Sequence, residues 1–159
     1  MKVKLTRMET LDACDFLSTI NLKGADEGLS RRIILAQVLL DAEARKIRAE
    51  DELISTRLIA TDEEKEACKA LAKAYGDMVS SAKGRILDPE KVQAYQKAKA
   101  RVEPVETAID KARSELEKKY NPKFDIEPFT MEELVAHYAN IGVDFNLQTF
   151  DPIKKLIKG

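Results

Sequence analysis

One histidine, His137, must serve any chemistry that needs a base near neutral pH, because the 159-residue sequence holds no other. A Ser, His and Asp triad would have to use it, and no recognisable motif surrounds any serine. Two cysteines, Cys14 and Cys68, are too few for a disulfide framework. Each falls on an apolar helical stripe, where a reduced, buried thiol is ordinary and points to a cytoplasmic setting. Neither GxxxxGK[ST] nor GxGxxG follows a strand pattern, which argues against nucleotide hydrolysis by a familiar route. The longest charge-free apolar stretch, Ile33 to Leu40, is far below the roughly 20 residues that span a bilayer. Lys2, Lys4, Arg7 and Glu9 open the chain without a following apolar stretch, so this start is not read as a secretory signal. Charge of one sign is lacking too. The 27 basic and 28 acidic side chains nearly cancel, and no DNA partner is expected.

What is present is helix. Hydrophobic residues make up 44% of the chain, but 19 of them are Ala, so apolar stripes are narrow and suit close helix packing. Val3 and Leu5 alternate with Lys2 and Lys4 as a short strand. Three capping boxes mark helix starts: Thr6 with Glu9, Thr61 with Glu64, and Thr130 with Glu133. Gly24 and Gly28 flank a polar connection, and no Gly or Pro then interrupts Ser30 to Ala60. Ile33, Leu40, Ile47 and Ile54 recur along that segment at heptad spacing, and Asp41 with Arg45 and Arg48 with Glu52 stand at i, i+4. Gly76 to Leu87 is read as frayed helix or loop. Asp88 before Pro89 starts another long helix with apolar positions Val102, Val105, Ile109, Ala112, Leu116 and Tyr120. This helix is the expected partner of the first long one, and Pro104 within it predicts a kink or restart near Glu103.

After Asn121 and Pro122 the pattern becomes strand, helix, strand. Phe124 to Glu127 alternates, Leu134, Val135 and Tyr138 line a short helix that Gly142 can close, and Val143, Phe145 and Leu147 alternate again. Asp151 and Pro152 start a last helical turn. The expected fold is mainly α, a long antiparallel helical hairpin with a small α+β end: one short N-terminal strand and one or two C-terminal strands. The organisation expected is one domain over 1–159, with a strand and first helix (1–28), the hairpin (29–120) and the strand-helix-strand end (121–159).

Few residues invite chemistry. Glu133 and His137 share a helix face but lack the further ligands of a tight metal site, so no metal or cofactor is expected. Asp62, Glu63, Glu64 and Glu66 crowd a helix start, which the helix dipole explains. Arg31 and Arg32, near a helix N-terminus, are the best candidate for an anion cradle, with solvated arginines beside Asp26 and Glu27 as the plainer account. Lys154, Lys155 and Lys158 form a basic tail. The heptad residues Ile33, Leu40, Ile47 and Ile54 mark either an intramolecular hairpin or a subunit interface, and a homo-oligomer is expected.

The opening Met1-Lys2-Val3-Lys4-Leu5-Thr6, the helical Glu117-Lys118-Lys119-Tyr120 and the closing run from Phe124-Asp125-Ile126-Glu127 through Leu134 to Pro152-Ile153 and Leu156-Ile157 resemble a group of small uncharacterised helical proteins of tailed phages and prophages. That resemblance implies a phage setting and no mechanism. The resulting expectation is a noncatalytic accessory protein that binds a host or phage protein, in particle assembly or in disabling a host function such as defence. The alternative is an oligomer that sequesters an anionic nucleotide signal through Arg31 and Arg32. An enzyme using Glu133 and His137 with a metal ranks last.

Overall fold

Thr6 accepts from the Glu9 backbone while the Glu9 carboxylate takes the Thr6 N–H at 2.9 Å, and this reciprocal cap starts helix α1, Arg7–Thr19. The same device at Thr61 and Glu64 starts α3, Asp62–Ser80, and at Thr130 and Glu133 starts α5, Met131–Ile141. The computed structural model describes residues 1–82, 84 and 86–159. Between these capped helices run two much longer ones, α2 (Glu27–Leu58, 32 residues) and α4 (Pro89–Lys119, 31 residues). Strand β1 (Lys2–Lys4) pairs antiparallel with β2 (Lys123–Asp125), placing Val3 opposite Phe124. A 3-10 helix, Leu147–Leu156, ends the chain. The architecture is mainly α with a small α+β end, as expected.

The chain divides into two compact units, Met1–Glu50 with Glu117–Gly159, and Asp51–Leu116. The divisions fall inside α2 and α4.

In the first unit, Leu29, Ile33, Ala36, Leu40 and Ala44 of α2 join Ala13, Cys14 and Leu17 of α1, Leu134 and Tyr138 of α5, and Phe150, Ile153 and Leu156 of the 3-10 helix in one core. The first half of α2 therefore buries its seam against α1, α5 and the 3-10 helix. Phe150, Ile153 and Leu156 are three residues apart, the period at which 3-10 side chains line up in a row. Tyr138 and Phe150 meet edge to face at 5.0 Å, with Phe16 and Phe145 each 6.2 Å from Phe150. The C-terminal end is stitched down by Phe129, whose N–H donates to the Leu156 carbonyl at 2.9 Å and whose carbonyl accepts from Lys158 at 2.8 Å.

Charged groups are buried at one place in this core. Arg7 is 6% exposed, its guanidinium bonds Glu50 of α2, and its N–H donates to Glu117 of α4 at 3.0 Å. Beside it Thr10 donates to the Thr6 carbonyl at 2.8 Å and lies 3.0 Å from the Tyr120 hydroxyl. Burial pushes the Tyr120 phenol up, against the opposing effect of the Thr10 bond.

In the second unit, Ala67 and Met78 of α3 and Val102 and Ile109 of α4 are buried, and Arg113 of α4 reaches Asp51 of α2 at 3.6 Å. Tyr75 and Tyr95 bring their rings to 5.8 Å.

Several expectations change. The alternation of Val143, Phe145 and Leu147 forms no strand: Gly142 turns the chain at φ +69°, and Asn146 caps the 3-10 helix with two backbone bonds. Leu147 is 87% exposed, so two local caps outweigh five residues of period-two pattern. Gly28 lies in the first turn of α2 rather than in the connection, because the Asp26 carboxylate accepts from Leu29 and starts the helix early. Gly24 alone provides the turn, at φ +76°. Helix α3 runs through Gly76 to Ser80; of the expected frayed stretch that follows, Lys83 and Arg85 lie outside the described residues. Helix α4 passes through Pro104 without restarting. Pro104 and Ala100 are both exposed, so water can satisfy the carbonyl that loses its intrahelical donor.

Two substitutions test this description. Arg7→Ala leaves Glu50 without its cation, while the backbone N–H to Glu117 remains, and is expected to destabilise the protein by about 3 kcal/mol, read by urea denaturation. A loss under about 1 kcal/mol would make the cluster incidental. Pro104→Ala restores a helix hydrogen bond and is expected to stabilise by about 1 kcal/mol or more in the same assay.

Candidate protein-binding surface

A helix with eight consecutive charge-free residues cannot point all of them at one core. At 3.6 residues per turn, Ile33, Ala36 and Leu40 face inward, and Ile34, Leu35, Val38 and Leu39 are carried to the opposite side of α2. There they stand 44% to 63% exposed. Four neighbouring aliphatic side chains in water on one helix face are a feature that a folded monomer does not need.

Beside them lies a groove of about 440 Å³ between α2 and the segment that leads from β2 to α5. Leu35, Ala36, Val38 and Leu39 form one wall, Ile126 and Pro128 the other, and Met1, Arg32, Asp125 and Glu127 the polar rim. The walls are pinned. Arg32 Nη1 and Nη2 bond the two Glu133 carboxylate oxygens at 2.7 and 2.6 Å, and Nη1 also donates to the Pro128 carbonyl at 2.9 Å. At the other end the Met1 ammonium donates to the Ile126 carbonyl at 2.8 Å and contacts Asp125 at 3.3 Å. Burial raises the Glu133 pKa, but the bonds from Arg32 and the Thr130 N–H outweigh it and hold the carboxyl below its usual range. Its hydrogen bond in turn raises Arg32.

The residues singled out from sequence fall as follows. Ile33, Leu40 and Ile47 are buried within the chain itself, so they are not available to a second subunit, and Ile54 is half-buried in the second unit. Arg31 and Arg32 do not converge: Arg31 is exposed, whereas Arg32 is engaged by Glu133, Pro128 and the Gly28 carbonyl at 3.2 Å. Glu133 is thus drawn to Arg32 rather than to His137. His137 Nε2 lies 2.7 Å from the Asn21 carbonyl, and its Nδ1 is buried without a partner. Among the described residues no group of three or more His, Cys, Asp or Glu is placed to hold a metal ion. Glu64 of the acidic cluster takes the Ala60 and Thr61 N–H groups, which is capping. Lys155 of the basic tail bonds Glu9 at 2.7 Å.

Sequence reasoning missed the outer apolar stripe although its signal was present, since a charge-free run longer than two helical turns leaves some aliphatic side chains outside. No helix of the described residues is long and apolar enough to cross a membrane. No protein-family model, curated protein or solved structure matches this chain.

The Arg32–Glu133 pair has a defined pH dependence. Because the native Glu133 pKa is depressed, its contribution is complete above the unfolded Glu value of about 4.3 and is lost as pH falls through the native value. Glu133→Gln is expected to destabilise by about 1–2 kcal/mol at neutral pH, with the difference from wild type shrinking toward acid in urea titrations. A difference independent of pH would show that the carboxylate charge is not what the pair contributes.

Proposed function

We propose that this chain is a noncatalytic protein of phage or prophage setting that acts by binding another protein through the outer face of α2. The observation that carries the reading is the exposed aliphatic set Ile34, Leu35, Val38 and Leu39 beside a pinned, largely apolar groove. A rigid wall lowers the ordering that docking requires, and a polar rim gives direction to an apolar contact. The engagement of Arg32, Glu133 and His137 in bonds that hold the fold supports the same reading. The phage setting rests on the sequence resemblance, and disabling a host function or serving assembly are the roles such binding would fill in a bacterial cytoplasm.

The nucleotide-sequestering alternative requires both Arg31 and Arg32 to be turned to an anion, and would need Arg32 to leave Glu133. It has less support than the apolar face.

A photo-crosslinking residue placed at Leu35 in producing cells is expected to give a discrete protein adduct, and one at the exposed Lys69 of α3 none. Val38→Asp should remove the Leu35 adduct while the thermal midpoint stays near wild type, since Val38 is largely in water already. Equal labelling from both positions, or none from either, would overturn the proposal.

A further inference from the structure

We infer that the partner seated on the outer face of α2 is a second copy of this chain, packed as an antiparallel helix pair about a two-fold axis that passes between Ala36 and Gln37. The inference rests on the protein-binding reading of that face and names its occupant.

The outer face is self-complementary in one direction only. Its exposed positions run Glu27, Gly28, Arg31, Ile34, Leu35, Val38, Leu39, Ala42, Arg45 and Lys46. In an isologous contact each residue meets the one at equal distance across the axis, so that positions summing to 73 face each other. Ile34 then meets Leu39 and Leu35 meets Val38, which makes an aliphatic centre from both copies. Glu27 meets Lys46, opposite charges seven residues outside that centre on either side. The two long guanidinium side chains fall on the two smallest residues: Arg31 on Ala42 and Arg45 on Gly28.

Size and charge thus agree at every step of the register. A parallel pairing would instead set each residue against its own copy, with Glu27, Arg31, Arg45 and Lys46 all meeting like charge. The groove between α2 and the Ile126–Pro128 segment widens the apolar area beyond the helix stripe, and Leu35, Val38 and Leu39 belong to both.

The test is sedimentation velocity over a concentration series on the full chain, with charge-swapped variants. Wild type is expected to form a dimer. Glu27→Lys and Lys46→Glu each place like charges at two symmetry-related positions and should raise the dissociation constant roughly 3- to 10-fold. The variant carrying both changes recreates the pairs with reversed sign and should return close to the wild-type constant. That recovery could not come from damage to the fold. Val38→Asp beside the axis should abolish the dimer, with circular dichroism reporting retained helix.

A dimer that ignores the charge swaps overturns this register. A chain that stays monomeric, while Leu35 still crosslinks to a different protein, overturns self-association and leaves the protein-binding reading standing. A monomer with no Leu35 adduct overturns both.

Discussion

A buried guanidinium sets the terms for the first unit of this protein. Arg7 opens α1, yet its side chain bonds Glu50 near the far end of α2's buried seam, and its backbone N–H is taken by Glu117 in the last turn of α4. The guanidinium fixes α1 to α2, because its charge cannot be left alone in the interior, and the Arg7 N–H ties the start of α1 to Glu117. Thr10 and Tyr120 extend the join by a neutral hydrogen bond. With α1 held in place, the core formed with α2, α5 and the 3-10 helix has a defined depth, and the orientation of α2 about its own axis follows. That orientation is what turns Ile33 and Leu40 inward and leaves Ile34, Leu35, Val38 and Leu39 outside.

The same helix therefore carries two apolar faces with different roles. The inner face obeys a heptad and is filled by the chain itself. The outer one has no such filling, and of its bordering charges Glu27 and Lys46 stand at equal distances on either side of its centre. Arg32 stands between the faces. By engaging Glu133 and the Pro128 carbonyl it closes the core on one side and fixes the groove wall on the other. A residue that sequence suggests as a ligand contact becomes a brace because a carboxylate from a distant helix is nearer and better aligned than any solvent anion.

Local signals were legible in the sequence wherever the determining atoms lie within a few residues. The three capping boxes, the Asp88–Pro89 start and the Gly142 stop all depend on a side chain meeting a backbone group in the next turn. Asp41 with Arg45 forms as its spacing predicts, at 2.7 Å. Arg48 and Arg113 were illegible for the opposite reason. Each has an i, i+4 carboxylate, Glu52 and Glu117, yet Arg48 bonds Asp15, Arg113 reaches Asp51, and Glu117 is drawn to Arg7. Tertiary neighbours outcompete a weak helical pair, and those neighbours are not visible from spacing. The candidate surface lies between these cases. Its residues were in plain view as an uncharged run, but which of them stay outside depends on how α2 is rotated, and Arg7 constrains that from α1 through its bond to Glu50.

The 3-10 helix has a consequence for how this sequence can drift. Runs of this kind seldom exceed three or four residues on their own, so Leu147–Leu156 owes its shape to the row Phe150, Ile153, Leu156 seated in the core. The intervening positions Asp151 and Lys154 are exposed and free to vary in identity. The count between the buried three is not free. A one-residue insertion or deletion there would rotate the row out of line and release the Phe129 stitch behind it, so length in this segment should be held more tightly than composition.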